Sequence, residues 1–339
     1  MLTARQEKIL GIVVDAYTRS GAPVGSRAIA ERDDVPWAAS TVRNEFAVLV
    51  SQGLLEQPHT SAGRRPTEPG YRYFVDGLLA ERADWRDAPT TIELRFDGRE
   101  TAVAIRQTTD SLAEATELMA LISAPPLSTE EILRIELIRL QPREVVVVVI
   151  TTSGNVTKRQ FKFDREIDHG LAEWATGYLN EVLKGVPLGA RMIRSRLFAP
   201  DLPVTEHSFI QAISTAFLEP PAGDETLFVG GAGHLVAGRG ETAIPGLDRL
   251  MTAVEERAAV TRLLRARLDE RGVYLRIGHE NEAVELSGVS VVGANYGTLT
   301  RNLGSVNVIG PVRMDYPLAI ASVRYAAARL SDFIADTYE

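Results

Sequence analysis

The sequence predicts an α+β protein built from several domains, and three observations carry that prediction. A chain of 339 residues is longer than one ordinary hydrophobic core supports, so about two or three domains are expected. Residues 35–76 show, in order, a helical pattern, a glycine stop, a short extended segment, a basic loop and a second helical pattern. Residues 145–150 are an unbroken run of β-branched residues, which predicts a strand buried on both faces of a sheet.

Composition narrows the class of protein further. With 45% hydrophobic and 24% charged residues the chain is globular. It contains no cysteine, which excludes disulfides and thiolate metal sites and fits the reducing cytoplasm, the predicted location. The longest apolar run, residues 145–150, is too short for a membrane span, and no basic-then-apolar leader segment is present, so no membrane partner is expected.

The first elements predicted are two helices separated by a turn. Residues 2–19 place an apolar stripe along one side of a helix, with Thr3 in position to cap its start and Gly21 to end it. Ser26 is then expected to cap a short second helix over residues 27–32.

The third predicted helix has one apolar side and one polar side. Val42, Phe46, Leu49 and Val50 recur at helical spacing and pack on the core, and Gly53 ends the helix. Its N-cap is open between Ser40, Asp34 and the backbone alone. The opposite side carries short or fork-shaped polar groups and no carboxylate, which suits a major groove, where Arg pairs with guanine and Asn with adenine. These outward residues are Ser40, Arg43, Asn44, Ala47 and Ser51.

A basic loop follows this helix. Residues 54–57 form a short predicted strand, and residues 58–67 contain two arginines, three hydroxyls, a glycine and no acid, so the loop can rest against phosphates. Helix, strand and basic tip in this order indicate a winged helix-turn-helix, and a generic loop is the alternative. The candidate DNA-contacting residues are Ser26, Arg27, Ser40, Thr41, Arg43, Asn44, Ala47, His59, Thr60, Ser61, Gly63, Arg64 and Arg65.

The overall charge argues mildly against nucleic acid. The net charge is −8, and residues 1–80 hold nine basic and nine acidic side chains. Residues 57–67 are nevertheless purely positive, and a two-fold dimer would present that patch twice. We therefore expect a modest salt dependence, weak non-specific binding and specificity that rests on base contacts.

Beyond residue 80 the pattern alternates between helices and strands. A charged segment ending in proline, residues 81–90, is the predicted linker. Strands are predicted over 145–150, 156–163, 273–278, 284–294 and 305–309 as parts of one mixed sheet. Helices are predicted over 101–123, 171–183, 209–218, 250–268 and from Pro317 to the C-terminus. In the segment 310–316, Arg313 and Asp315 are expected to form an internal ion pair in a structural link, with an effector or subunit contact as the alternative.

Specific motifs in both halves of the chain resemble one family. The run HTSAGRRPT at 59–67, GYRYFVD at 70–76 and PVGSR at 23–27 resemble the N-terminal part of the HrcA family of heat-inducible transcription repressors. Residues 277–281 and VIGPVRMDY at 308–316 resemble its C-terminal signature. Ala38-Ala39 and Asn307 depart from the family pattern.

The resemblance implies a division of the chain and a function. It implies a winged helix-turn-helix domain at 1–80, a linker at 81–90, a GAF-like mixed α/β domain at 91–165 plus 246–339, and an inserted α/β dimerisation domain at 166–245. It further implies a homodimeric repressor of chaperone genes that binds a double-stranded inverted-repeat operator, is kept active by the chaperonin, and loses DNA binding on heating.

Other functional classes are less well supported by the sequence. The five histidines lie far apart without metal-site spacing, Glu130-Glu131 falls within a helical charge pattern, and the glycine cluster at 230–240 lacks the third glycine of a dinucleotide loop. No catalytic, cofactor-binding or metal-ligating residue is therefore predicted. Two alternatives remain, a ligand-gated regulator that uses the GAF-like sheet as a pocket and an interaction protein that does not bind DNA.

Overall fold

The structure, a computed structural model, describes residues 2–59, 62–80, 92, 94, 96, 101–125, 130–152, 154–188, 191–198, 202–218, 227–237, 244, 246–255, 272–298 and 302–338. The predicted linker at 81–90 and the predicted DNA contacts Thr60 and Ser61 lie outside these ranges. None of the helices searched in the described residues combines the length and the apolar character needed to cross a membrane.

The N-terminal part has the predicted winged helix-turn-helix order. It consists of α1 (Ala4–Ser20), α2 (Ser26–Ala30), α3 (Ala39–Ser51), the two-residue strands β1 (Leu55–Glu56) and β2 (Arg65–Pro66), and α4 (Glu68–Ala80). The strands β1 and β2 pair antiparallel. The three longer helices bury apolar side chains in one cluster, so packing rather than propensity holds the short elements in place.

Local capping fixes both ends of α1. The Thr3 side chain accepts a hydrogen bond from the Gln6 amide, and the Gln6 side chain accepts one from the Thr3 amide, which satisfies two free donors. Gly21, at φ 71°, ends the helix as predicted. The expectation for Ser26 is wrong, because Gly25 is the N-cap of α2 and Ser26 is already its first helical residue.

The largest sheet is antiparallel and has five strands. Its strands are β3 (Met119–Ser123), β7 (Leu227–Gly230), β8 (Val273–Ile277), β9 (Val289–Gly297) and β10 (Asn302–Pro311), in the spatial order β7-β3-β10-β9-β8. Helices α5 (Thr101–Thr116) and α12 (Tyr316–Tyr338) cover one face. Helices α10 (Ala232–Ala237) and α11 (Leu247–Glu255) cover the other, so the sheet is buried on both sides.

A second, three-stranded sheet lies between β3 and β7 in the sequence. It is formed by β4 (Ile132–Gln141), β5 (Glu144–Thr151) and β6 (Val156–Lys162), in that order. Helices α6 (His169–Leu183), α7 (Arg191–Leu197), α8 (Val204–Ile213) and α9 (Thr215–Leu218) follow it. These elements share a hydrophobic core that is separate from the two clusters covering the five-stranded sheet, one of which also includes the buried side chains of the N-terminal helices.

This topology corrects the predicted single sheet. Residues 145–150 and 156–163 do not join the C-terminal strands but pair with β4 in the smaller sheet. The domain boundary predicted at residue 165 would therefore separate β4 to β6 from the helices after residue 168, although these strands and helices share one core. The burial predicted for the valine run is also wrong. Its side chains alternate between buried and half-buried, so only one face of β5 lies in a core.

Two local predictions need correction as well, and a third is only partly covered by the described residues. The helix predicted over 101–123 ends at Thr116, where Glu117 takes a positive φ of 53°, and residues 119–123 are a strand. Residues 284–286 form a 3-10 turn before β9 begins at Val289. The helix predicted over 250–268 is described as Leu247–Glu255, and the remainder lies outside the described residues.

Glu130 also differs from its predicted place in a helical charge pattern. It precedes β4 and is fully buried, and its carboxylate accepts hydrogen bonds from Thr151 Oγ1 at 2.5 Å and Asn155 Nδ2 at 2.6 Å. The carboxylate thereby ties the start of β4 to the turn between β5 and β6. This structural role depends on burial of the carboxylate and on nearby hydrogen-bond donors, and it does not need an oppositely charged neighbour on a helix.

Candidate nucleic-acid interface

Helix α3 divides its residues between a buried and an exposed face, as the spacing predicts. Val42, Phe46 and Leu49 are buried in the N-terminal core. Thr41 is half-buried at the edge of the exposed face. The exposed residues of that face are Ser40, Arg43, Asn44, Ala47 and Ser51. Because they cover about three turns of one helix, their side chains can reach base edges along a major groove.

The start of α3 is capped by backbone alone. Ala38 is the N-cap and no side chain accepts from the first turn, which answers the question the sequence left open. Asp34 instead accepts from Arg32 Nε at 2.9 Å, and this hydrogen bond lowers the pKa of the Asp34 carboxyl. Free backbone amides at the start of a helix attract phosphate. The N-terminal end of α3 can therefore bind a phosphate while its exposed face contacts bases.

Glycines shape the end of α3 and the wing. Gly53 has φ 73°, and the Leu54 amide donates back to the Leu49 carbonyl at 2.9 Å, as expected of a Schellman-type stop. In the wing, a Cβ on Gly63 would lie 2.4 Å from the Val24 carbonyl, so only glycine fits there. Arg64 and Val24 exchange backbone hydrogen bonds of 2.8 and 2.9 Å, which anchor the wing to the turn before α2.

The arginines of the wing are less free than the sequence suggests. Arg65 donates to Glu56 at 2.6 Å across the β1–β2 pair. Partial burial, the largest single influence, lowers the pKa of Arg65, but the hydrogen bond and the charge of Glu56, together with Tyr17, outweigh burial and raise that pKa. Arg64 is half-buried, with its guanidinium 6.0 Å from the Phe46 ring centre. The positive sign predicted for residues 57–67 is therefore partly neutralised by a neighbour just outside that segment.

The remaining predicted contacts occupy different positions. His59 at the wing is exposed, whereas Ser26 at the start of α2 is half-buried. Arg27 is exposed and forms an ion pair with Glu31 at 2.9 Å. The structure thus brings the α3 residues together on one face, and it ties the wing at Arg64 to the turn before α2.

Two features of this surface were missed in the sequence. Val48 is 37% exposed and lies one turn beyond Asn44, so the outward side of α3 also carries an exposed apolar side chain. Trp37, just before α3, has Arg5 at 5.4 Å and Lys8 at 6.0 Å from its ring centre. The four-residue spacing from Asn44 could have identified Val48 as an outward residue. The cluster of Trp37 with Arg5 and Lys8 could not be predicted in this way, because it joins segments that are distant in the sequence.

Arg72 and Tyr73 of α4 both bond to other parts of the chain. The Tyr73 hydroxyl donates to Glu7 of α1 at 2.7 Å. The Arg72 guanidinium binds Glu280 in the C-terminal part of the chain. Helix α4 therefore contacts both α1 and the C-terminal part of the chain.

Comparison with known proteins identifies a DNA-binding domain in the N-terminal part of the chain. Residues 1–75 match the family model described as the winged helix-turn-helix transcription repressor HrcA DNA-binding domain, and residues 103–320 match the HrcA protein C-terminal domain. The chain is 30% identical over 346 residues to the heat-inducible transcription repressor HrcA of Bacillus pumilus, with all of both chains covered. It is 32% identical over 336 residues to that of Mycolicibacterium vanbaalenii, with 97% of each chain covered.

One solved structure is similar over its full length. It is described as a hypothetical protein at 2.2 Å resolution and shares 23% sequence identity with this chain. The TM-score is 0.66, with 99% of this chain and 100% of the other covered, so the two proteins share a fold.

Proposed function

This chain belongs to the HrcA family of heat-inducible transcription repressors, which are not enzymes, and we propose that it acts as a homodimer on an inverted-repeat operator. In this proposal each winged helix reads one half-site, with α3 in the major groove and the wing on the backbone. Chaperone genes are the regulated targets, the chaperonin maintains the active form, and heating releases the DNA.

The outward face of α3 is the observation that carries the proposal. Its exposed residues include a guanidinium, an amide and hydroxyls but no carboxylate, and Glu45 is turned aside to bond Arg5 and Gln6. Arg43 suits guanine and Asn44 suits adenine, so direct base readout is chemically available. Phosphate contacts from the wing, with His59, Arg64 and Arg65, would fix the register.

The outer face of the three-stranded sheet supports a dimer. Its central strand shows half-buried Val146, Val148 and Ile150, and Ile138 and Val156 beside them are 49% and 61% exposed. A second copy of the chain is the occupant we propose, because an inverted repeat requires two-fold related reading heads. In this form of the proposal the dimerisation unit includes β4 to β6, and not Gly230, which lies in the five-stranded sheet.

The heat response follows if an interface is only marginally stable. Warming would separate or reorient the winged helices before the cores unfold, so the two heads would lose their shared geometry. Operator binding should then fall below the temperature of global unfolding. Binding and calorimetric transitions that coincide would remove this part of the proposal.

A ligand-gated regulator finds less support. Polar groups inside the five-stranded sheet bond to one another: the Tyr274 hydroxyl donates to Asn307, the Asn307 amide donates to Ser305 at 3.0 Å, and the Tyr296 hydroxyl donates to the Ser123 carbonyl at 2.6 Å. Groups that are already satisfied in this way gain little from a ligand.

Selection of bound sequences from a random duplex pool is the experiment that tests the proposed function. The purified chain should enrich an inverted repeat whose half-sites lie roughly a multiple of 10 base pairs apart, about one helical turn. Arg43→Ala should broaden the enriched sequence at one position in each half-site. Enrichment of no sequence, or of a single site without symmetry, would contradict the proposal.

A further inference from the structure

Two C-terminal segments that stood out in the sequence meet on the winged-helix domain. Residues 277–281 follow strand β8, and residues 310–316 join β10 to α12. Neither segment reaches the outward face of α3 in the described contacts. Both bind the side of the domain formed by α4 and the end of α1.

The strongest polar contact joins Arg72 of α4 to Glu280. Arg72 Nε donates to Glu280 Oε1 at 2.7 Å, its Nη2 donates to Glu280 Oε2, and the same Nη2 donates to the Leu275 carbonyl at 2.9 Å. Glu280 also accepts from the Ile277 amide at 2.9 Å. A two-pronged guanidinium–carboxylate contact fixes the relative orientation of the groups as well as their distance.

A second contact lies one turn earlier on α4. The His279 amide donates to Glu68 Oε2 at 3.0 Å, and His279 Nδ1 is 3.1 Å from both carboxylate oxygens. Gly278 has φ 52°, and a Cβ there would lie 2.3 Å from the Glu68 carboxylate. The backbone of this turn is therefore shaped to receive the α4 carboxylate.

The third contact falsifies the ion pair predicted between Arg313 and Asp315. Asp315 accepts from the Leu318 amide at 3.0 Å and so caps α12. Arg313 reaches α1, where its Nη1 donates to the Tyr17 carbonyl at 3.4 Å and its guanidinium lies 5.9 Å from the Tyr17 ring centre. Tyr17 in turn contacts Arg65 of the wing, so this contact ends beside the DNA-facing part of the domain.

An apolar contact occupies the middle of these three. The rings of Tyr71 and Tyr316 lie 5.6 Å apart and are nearly fully buried. Partly exposed ion pairs add little net stability, so the surrounding charges are better suited to choosing one orientation than to holding the domains together. That orientation leaves Arg43 and Asn44 exposed.

We propose that Arg72, Glu280, Glu68, His279 and Arg313 are positioning residues that set the angle of each reading helix relative to the dimer. Once one winged helix is bound, the second binds its half-site at an effective concentration that depends on the angle between the two reading helices. This angle therefore decides which half-site spacing the protein accepts. The inference rests on the proposed dimeric repressor. It assigns to the two C-terminal segments a part in operator selection.

A charge swap tests the inference on the full-length protein. Affinity is measured for a single half-site, for the selected inverted repeat, and for repeats whose spacer is changed by one to five base pairs. Arg72→Glu should lower affinity for the inverted repeat roughly tenfold and flatten its spacer dependence, while half-site affinity changes less than about twofold. Arg72→Glu combined with Glu280→Arg should restore both. Arg329→Glu breaks an exposed Arg329–Asp332 pair on α12 and is the matched control.

Each outcome decides the matter. Equal losses on half-site and full site, no change, or a gain in full-site affinity would overturn the positioning role. If calorimetry shows that Arg72→Glu does not fold, Glu280→Gln and His279→Ala are measured in its place with the same expectations. Failure of the unaltered protein to prefer any inverted repeat would instead contradict the proposed function.

Discussion

The carboxylate of Glu56 lies 2.6 Å from Nε of Arg65 across the two strands of the wing. This pair places a negative charge next to a segment that is purely basic in the sequence. The contact of the wing with phosphate is therefore moderated by its own strand partner. Both side chains remain about half exposed, so the pair can open when a stronger acceptor approaches.

Replacing Glu56 by Gln should release Arg65 for phosphate. We expect tighter binding to all duplexes and a salt dependence steeper by about one released ion, since each added phosphate contact contributes roughly that slope. Arg65→Ala should weaken all sequences alike and flatten the slope. Binding isotherms across a salt series measure both, and identical slopes for the three proteins would show that Arg65 does not contact the backbone.

Arg43→Ala should remove a base contact. The expected loss is about 1 to 3 kcal/mol on the selected operator, with a relaxed preference at one position per half-site. Competition between operator variants measures this preference. Arg19→Ala is a suitable control because Arg19 is exposed at the end of α1 and already paired with Asp15. A uniform loss on all sequences would assign Arg43 to the phosphates.

Val48 should contact a thymine methyl group, because it is the larger of the two exposed apolar side chains on the outward side of α3, the other being Ala47. Replacing thymines by uracil one at a time in the selected duplex should reduce affinity about fourfold at one position, near the 0.8 kcal/mol of one buried methyl. Val48→Ala should abolish that sensitivity in a double-mutant cycle. Unchanged uracil sensitivity in the variant would show that Val48 is outside the groove.

Gly63→Ala should displace the wing, since its Cβ would meet the Val24 carbonyl at 2.4 Å. We expect a loss of about 1 to 3 kcal/mol in the free energy of unfolding, measured with urea. Gly77→Ala in α4 is the matched control, because nothing lies within 4 Å of its Cβ position and the change favours a helix by up to about 1 kcal/mol. Equal effects of the two substitutions would contradict the close approach.

Docking of the winged-helix domain should weaken in acid. Burial alone would raise the pKa of Glu280, but hydrogen bonds from Arg72 and the Ile277 amide hold that pKa below its usual value of 4.5. A carboxyl with a lowered pKa in the folded state contributes stability above its unfolded value and loses it as pH falls through the folded value. Between pH 7 and pH 3 the unfolding temperature of the native chain should fall more than that of Glu280→Gln. Parallel curves would argue against the contact.

The sequence determined the elements whose signals are local. Thr3 and Gly21 mark the ends of α1, and the spacing of Val42, Phe46 and Leu49 assigns the buried face of α3 and so the polar face opposite. These features depend on residues within about one helical turn, where periodicity and caps dominate. The exposed polar face of α3 could therefore be predicted, together with the order of the winged helix-turn-helix.

Only the tertiary structure decided which distant segments are partners. Arg72 binds Glu280 at a separation of 208 residues, and Arg313 reaches Tyr17 rather than its neighbour Asp315. The valine run at 145–150 joined a small separate sheet, although its composition equally suited the large one. A hydrophobic pattern predicts that one face of an element is buried, but it does not identify the element that covers that face. That choice depends on packing between elements far apart in the chain.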